Sequence, residues 1–367
     1  MIRLKDVARQ SGVSVTTVSH VVNGTRRVAP ATQVRVQRAI AELGYRPDSI
    51  ARALKSNRSR TIGMIVTAAN NPFFAEIIRG VEDHCFAHGY SLMLCNTGDA
   101  DARQLSYLQA LRDKRVDGLI VMTAHSGPDF LAALARQPLP TVLMDADPTS
   151  GEDIAVVNDD SRLGARLAIE HLLSRGLTDI ALLTGPASHP RSRERLAGAL
   201  AALEAAGLRP PASRIVATNL MADGGHDAMR RLLAGSSPPQ ALFAFNDLVA
   251  IGAMRAAREH GLSLPDDLSV VGYDDIELGR YLTPALTTVH QPVYELGAMA
   301  SAQLIERLEH GRPLEPVLRL DPCLVVRESV RESLGEPLRE SVGEPVQESA
   351  VESVNSPSSS LSPSPSH

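Results

Sequence analysis

LKDVARQSGVSVTTVSHVVN, residues 4–23, holds two short apolar stripes at helical spacing on either side of a glycine. In the first, Leu4, Val7 and Ala8 recur at i, i+3 and i+4, the spacing that gathers side chains on one helix face. Gly12 follows as a stop, and Ser14 offers a hydroxyl cap to a second helix whose Val15, Val18 and Val22 again share a face. The other face carries Thr16, Thr17 and His20. Two short helices joined by a tight turn predict a helix-turn-helix, whose hydroxyls and imidazole can donate to and accept from base edges in the DNA major groove. A plain helical hairpin with polar surface groups is the competing reading.

Charge separates the two. The 367 residues carry a formal −5, unevenly spread. The first sixty hold twelve Lys and Arg against Asp6, Glu42 and Asp48, a net of +9 that leaves −14 for the remainder. A basic end neutralises phosphates and releases their counterions, while an acidic body is repelled by a duplex. Ala31 to Leu43 predicts a third helix, with Val34, Ala39, Ile40 and Leu43 available to close a small core before Gly44. Pro47 to Lys55 then predicts a helix of two turns, too short to stand alone. Ala51 and Leu54 share one side of it, where Leu54 either wedges between base steps in a minor groove or packs with Ile50 against the body.

From Thr61 the texture becomes α/β. Apolar strands (TIGMIVT, YSLMLCNT, GLIVM) alternate with amphipathic helices, and a second series (IALLTG, RIVAT, ALFAF, LSVVGYDD) begins after a helix near Ser161. Such alternation builds parallel sheets covered by helices, with the ligand outside the carboxyl ends of the strands. Polar or aromatic residues stand at those ends: Asn71, Phe73 and Phe74 after the first strand, then Asp145, Arg193, Asn246, Asp274 and Gln291. Taken singly, Asp or Asn after a strand is a helix cap, and Arg193 is a solvated charge beside Arg191 and Arg195. Taken together they suit a sugar, whose hydroxyls take paired bonds from amides, carboxylates and guanidinium while its ring faces pack on aromatics.

Catalytic signatures are missing. No G-x-x-x-x-G-K-[ST] loop or G-x-S-x-G elbow occurs, so neither a catalytic residue nor a cofactor is expected. His84, Cys85 and His88 lack the further ligands a zinc site needs, and no metal is expected. Three unpaired cysteines, the lack of an export signal and the lack of a long apolar run together predict a cytoplasmic protein. From Arg327 seven four-residue units follow (RESV, RESL, GEPL, RESV, GEPV, QESA, VESV), then a Ser/Pro-rich end. Their period drifts around a helix and Pro337 and Pro345 interrupt it, so a disordered tail is expected over 329–367.

The order LKDVARQSGVSVTTVSHVVNG followed by GYRPDSIARALK is similar to the lactose-repressor (LacI/GalR) family of bacterial transcription regulators, over residues 1 to about 328. The resemblance implies a three-helix DNA-binding headpiece over 1–46, a hinge helix and linker over 47–60, and a two-lobed core over 61–328 that resembles the periplasmic sugar-binding proteins. Lobe one would span about 61–160 and 291–320, lobe two about 161–290 and 321–328. It implies base reading by Thr16, Thr17 and His20, backbone proximity for Asn23 and Arg26, DNA contact for Ala51 and Lys55, and the minor-groove wedge for Leu54. It further implies a homodimeric repressor on operator DNA, allosterically controlled by a small ligand between the lobes.

NNPFF, Arg193, Asn246, Asp274 and Gln291 resemble the pentose contacts of the family's sugar-responsive members, which makes ribose or a similar pentose the expected effector. CFAHGY, KRVDGLIVM and LTPALTTVHQP fit purine-responsive members equally, and a sugar-binding protein without a DNA role is a further alternative. Ala146 stands where exported ribose binders use an arginine, and Leu220 where an aromatic is usual. Arg3 replaces the usual Thr or Ser before the first helix, a lost side-chain cap that should cost about 1 kcal/mol.

Overall fold

The computed structural model describes residues 2–24, 26–45, 58–98, 100–122, 127–148, 151, 153–235 and 237–332. Ala51, Leu54 and Lys55, the expected hinge helix and the tail from 333 onward lie outside the described residues.

Three helices open the chain: α1 (Leu4–Ser11), α2 (Val15–Asn23) and α3 (Pro30–Leu43). Val7, Ala8, Val18, Val36 and Ala39 form their buried centre, with Leu4, Val22, Ile40 and Leu43 packed around it. Two expected members are absent from it. Val15 points outward, and Val34 is 63% exposed. Val34 and Val36 are two positions apart, about 200° around a helix, so once Val36 faces the core Val34 cannot. Gly12 supplies the left-handed turn at φ 65° that ends α1, and Ser14 Oγ accepts from Thr17 N–H at 3.1 Å to begin α2. Arg3 supplies no side-chain cap to α1, and a different contact holds this helix start. The Asp6 carboxylate accepts from Arg3 N–H at 2.9 Å and from Arg9 at 2.6 Å, and the Arg3 amide first, then Arg9, draws its pKa down against the opposing effect of burial. Asp6 thus satisfies the Arg3 amide, while the first-turn amides that a Ser or Thr at position 3 would cap gain no side-chain acceptor from Arg3.

The body begins with β1 (Thr61–Val66), α4 (Pro72–Ala87), β2 (Ser91–Asn96), α5 (Asp101–Asp113), β3 (Gly118–Met122), α6 (Pro128–Ala135), β4 (Thr141–Met144) and β5 (Ile154–Asp159). A second series follows: α7 (Ser161–Ser174), β6 (Ile180–Thr184), α8 (Pro190–Ala205), β7 (Ile215–Ala217), α9 (Ala222–Gly235), β8 (Ala241–Ala244), α10 (Asp247–Glu259), β9 (Ser269–Asp274) and β10 (Thr287–His290). The chain then returns through α11 (Val293–His310) and β11 (Val317–Leu320) and closes with β12 (Cys323–Val325). Among the described residues these strands make two six-stranded sheets, ordered β11-β5-β4-β3-β1-β2 and β12-β10-β9-β8-β6-β7. Pairing is parallel except for β12 against β10. The chain therefore crosses between lobes after β5, after β10 and after β11.

Burial explains the strand sequences. Every residue of β3 and β8 is buried, as parallel strands covered on both faces require, and such strands read as unbroken apolar runs. In lobe one, α4 and α11 approach backbone to backbone. A Cβ on Gly80 would lie 2.1 Å from the Tyr294 carbonyl, and one on Gly297 2.3 Å from that of Ile77. That contact carries a segment from the far end of the chain onto the first lobe.

The expected disorder does not start at 329. Ser329 is fully buried: its Oγ donates to the Val270 carbonyl at 2.6 Å and accepts from Thr287 N–H at 2.8 Å. Arg327 pairs with Asp275, and Val330 is buried in the lobe-two core. The first RESV unit is thus part of the fold, because its hydroxyl and valine complete pairings that β9 and β10 leave open; its charged look in sequence concealed this.

Candidate functional site: an interlobe cavity and a DNA-facing headpiece

A cavity of about 240 Å³ lies between the carboxyl ends of the two sheets. Its lobe-one wall is formed by Thr67, Ala68, Asn71, Phe73, Phe74, Gly98 and Asp145, and its lobe-two wall by His189, Arg191, Arg195, Asn219, Leu220, Met221, Phe245, Asn246 and Asp274. Asn71 caps α4, its Oδ1 accepting from Phe73 N–H at 3.1 Å, and so aims the next two residues into the cavity. The Phe73 and Phe74 rings meet edge to face at 5.3 Å. Of the six non-glycine residues with positive φ among the described residues, Asp145 (54°), Leu220 (69°) and Asp274 (111°) line this cavity. Strained backbone concentrates where function holds it in place.

Six of the eight ligand residues expected from the sequence are here: Asn71, Phe73, Phe74, Asp145, Asn246 and Asp274. Gln291 stands behind the wall, donating Nε2–H to Asp274 Oδ1 at 2.7 Å. Arg193 is not part of the lining. Its side chain is 46% exposed and pairs with Asp147 at 2.5 Å. Arg191 and Arg195 occupy the cavity instead, since they are four apart and share a face of α8, whereas Arg193 lies about 200° from Arg191. That periodicity was available in the sequence. Asn246 also has prior duties: Oδ1 caps Val249 N–H at 2.8 Å and Nδ2 donates to the Leu220 carbonyl at 3.0 Å.

Arg195 anchors the charge in this site. Its guanidinium is 3.6 Å from the Tyr273 ring centre and 4.4 Å from that of Phe245. It donates to the Phe245 carbonyl at 2.6 Å and lies 3.6 Å from Asp274. Burial pulls its pKa down, but Tyr273, Asp274, Asp159 and Asp145 outweigh that and raise it. Burial lifts Asp274 well above the carboxylate range against the pull of Arg195, and lifts Asp145 to about 6 despite Arg191. Burial, then the three arginines of α8, lowers His189 to about 3. Its Nδ1 accepts from Arg191 N–H at 3.2 Å, so the neutral ring carries its proton on Nε2. The cavity therefore offers guanidinium and neutral imidazole donors beside carboxyl groups, which suits a polyhydroxy or heterocyclic ligand. Arg191 also crosses the seam, donating Nη2–H to the Ala146 carbonyl at 3.2 Å, next to the Arg193–Asp147 pair.

On the headpiece, Thr16 is exposed and Thr17 and His20 are half-buried. Asn23 and Arg26 are exposed, with the Asn23 amide donating to the Ser19 carbonyl at 2.8 Å. The His84 and His88 rings stack at 4.3 Å, and burial pushes the Cys85 thiol between them in sequence up to about 12, so it is not a thiolate. Among the described residues no group of His, Cys, Asp and Glu could hold a metal ion, and no helix is long and apolar enough to cross a membrane.

A helix-turn-helix joined to a two-lobed α/β core with a cavity at the seam defines a DNA-binding regulator with a ligand-binding body. Residues 3–48 match the model for bacterial regulatory proteins of the lacI family, and residues 169–330 match that for periplasmic binding protein-like domains. The chain is 44% identical over 330 residues to the ribose operon repressor of Escherichia coli (strain K12), covering 90% of this chain and all of that one. It is 42% identical over 334 residues to the HTH-type transcriptional repressor PurR of Edwardsiella ictaluri (strain 93-146), covering 91% and 98%. Among solved structures it resembles the lac repressor dimer bound to operator and the anti-inducer ONPF (TM-score 0.81, 31% identity, covering 89% and 98%). It also resembles a LacI family regulator from Enterococcus faecium with bound ribose (TM-score 0.67, 31% identity, covering 75% and 99%). The chain belongs to the lacI family: it is a DNA-binding transcriptional repressor with a ligand-binding core, not an enzyme.

Proposed function

We propose that the operator affinity of this repressor is set by ribose or a similar pentose bound between the lobes. The observation that carries this is the cavity itself. About 240 Å³ is below the 300–1,000 Å³ of drug-sized ligand pockets, and its lining combines the apolar rings of Phe73 and Phe74 with the hydrogen-bonding groups of Asp145, Arg191, Arg195 and Asp274. A ribose operon repressor among the relatives and a ribose-bound structural neighbour support the same class. A purine is the second reading. PurR is nearly as similar, and Phe245 with Arg191 and Arg195 could stack on and hydrogen-bond a heterocycle. Calorimetric titration of the protein with ribose, other pentoses and purines decides: ribose heat is expected, and tight purine binding without ribose heat refutes the sugar.

In this reading Asn71, Phe73, Phe74, Asp145, Asn246 and Asp274 contact the ligand, with Gln291 positioning Asp274 and Arg193 holding the seam. Ligand bound to both walls draws the lobes together across the Arg191–Ala146 and Arg193–Asp147 contacts. A lobe shift of this kind couples to DNA binding by typically 1–3 kcal/mol, about 5–150-fold in affinity. Thr16, Thr17 and His20 read bases, Asn23, Arg26 and Lys55 lie along the backbone, and Ala51 and Leu54 enter the minor groove. Two copies bind the halves of a pseudo-palindromic operator in the cytoplasm, and the exposed Phe86, Leu94, Leu278 and Tyr281 give apolar surface for their pairing. Leu54→Ala should lower operator affinity in a gel shift and leave ribose heat unchanged; unchanged operator affinity removes the wedge. Ribose added to the gel shift fixes the sign: release is expected, and tightening reverses it.

A further inference from the structure

The acidic body has a basic exception where the chain enters it. Near the C-terminal ends of α5 and α11 lies an open hollow of about 510 Å³, lined by Arg58, Arg112 and Arg115 with Val116, Asp117, Gln137 and Leu308 among its other walls. All three arginines are exposed, as is Lys114 beside them. The acidic member of the lining is already occupied. Asp117 accepts from Ser59 N–H at 2.8 Å, Ser59 Oγ at 3.1 Å and Arg60 N–H at 2.7 Å. Arg58 donates to the Leu308 carbonyl, which fastens this segment to α11. Among the described residues the Arg112 and Arg115 side chains make no ion pair. A helix C-terminus attracts a cation, but that dipole accounts for a single guanidinium better than for a cluster drawn from two separate segments.

Position gives the cluster a partner. Arg58 follows directly on residues 46–57, which lead from the headpiece, and it is four residues from Leu54. Four residues span at most about 14 Å, and a free charge acts over about 8–10 Å in physiological salt. A cationic hollow held that close to the DNA-contacting end, on a body whose net charge is negative, matches the charge of the phosphate backbone. We propose that Arg112 and Arg115, with Arg58, form a second, sequence-independent DNA contact, in which the body grips backbone phosphates beside the sites the headpiece reads.

The test uses the full chain with Arg112→Gln and Arg115→Asn, Asn being chosen because Arg115 has φ 57° and Asn tolerates that region. Operator affinity is measured by fluorescence anisotropy from 50 to 300 mM KCl, alongside Tm. Affinity at 50 mM is expected to fall about fivefold or more, and the slope of log K against log salt to flatten by about 0.9 for each phosphate no longer neutralised. Scrambled DNA should lose as much as operator, with Tm unchanged. An unchanged slope overturns the proposal. So does a fall in Tm without a change in slope, which makes the arginines helix-end caps. Titration with inorganic pyrophosphate covers the remaining source: heat that the substitutions abolish, with the slope unchanged, makes the hollow a small-anion site and overturns DNA contact.

Discussion

Replacing Arg195 by Met removes a cation that lies against Asp274 while keeping much of the side chain's apolar bulk. The losses are specific: a charged hydrogen bond to the Phe245 carbonyl at 2.6 Å, two ring contacts at 3.6 and 4.4 Å, and the charge 3.6 Å from Asp274. Breaking a buried pair from one side costs at most about 3–5 kcal/mol, reduced by whatever Asp274 recovers on taking up a proton. The ring and hydrogen-bond terms overlap with this and are not added to it. At about 2–4 °C per kcal/mol for a body of this size, Tm should fall by at most roughly 6–20 °C at pH 8. The pH dependence is diagnostic. Asp274 titrates higher in the folded chain than unfolded, chiefly through burial, so its ionisation opposes folding above its folded pKa, and the opposition disappears as pH falls toward its unfolded value. Without Arg195 its folded pKa rises further, so the part of the loss that comes from Asp274 should appear above the wild-type folded pKa and should never grow as pH falls. Calorimetric unfolding of variant and wild type from pH 8 to pH 5 is the assay. A loss under 1 kcal/mol at pH 8, or a gap that widens toward acid, refutes the account of Arg195 as the anchor of this buried cluster.

Three further outcomes follow from the same site and the segments around it. Asp145 titrates at about 6, raised first by burial, and a sugar hydroxyl bonds best to its ionised form; ribose affinity by calorimetry should be flat above pH 7 and weaken as pH falls through 6. Arg193→Ala breaks an ion pair whose partners are 46% and 59% exposed, worth at most about 1 kcal/mol, so ribose affinity should change less than about fivefold, whereas Arg191→Ala, at a fully buried guanidinium, should cost far more. Ser329→Ala leaves Thr287 N–H without its acceptor, and chemical denaturation should show a loss of about 1–3 kcal/mol; no loss would return residue 329 to the solvated tail.

Much of the site is legible in the sequence because strand ends are legible. Parallel strands are short apolar runs, and the polar residue that ends each run lies at the mouth of the sheet, which is what singles out Asn71, Asp145, Asn246 and Asp274. The choice of arginine fails because a residue two positions away on α8 has the same chemistry and the opposite direction. His189 and Phe245 give little signal, since neither is unusual after a strand and each acts only through its neighbours: His189 through the Arg191 amide, Phe245 through the Arg195 guanidinium.

The sequence alone determined the class of this protein. A glycine-broken helical pair, a charge split at residue 60 and the change from helical spacing to alternating strands and helices are local properties, written in periods of 2 and 3.6 residues and in charge sums that need no coordinates. Only the tertiary structure decided which polar groups share a cavity. Asp274 meets Arg195 and Gln291, Arg191 reaches the Ala146 carbonyl, and Ser329 fills a gap beside Val270 and Thr287. These partners lie far apart in the chain, and the direction of each side chain depends on how its helix or strand docks against another. Periodicity fixes which residues share a face, but which face meets the ligand is set by packing between segments that the sequence separates.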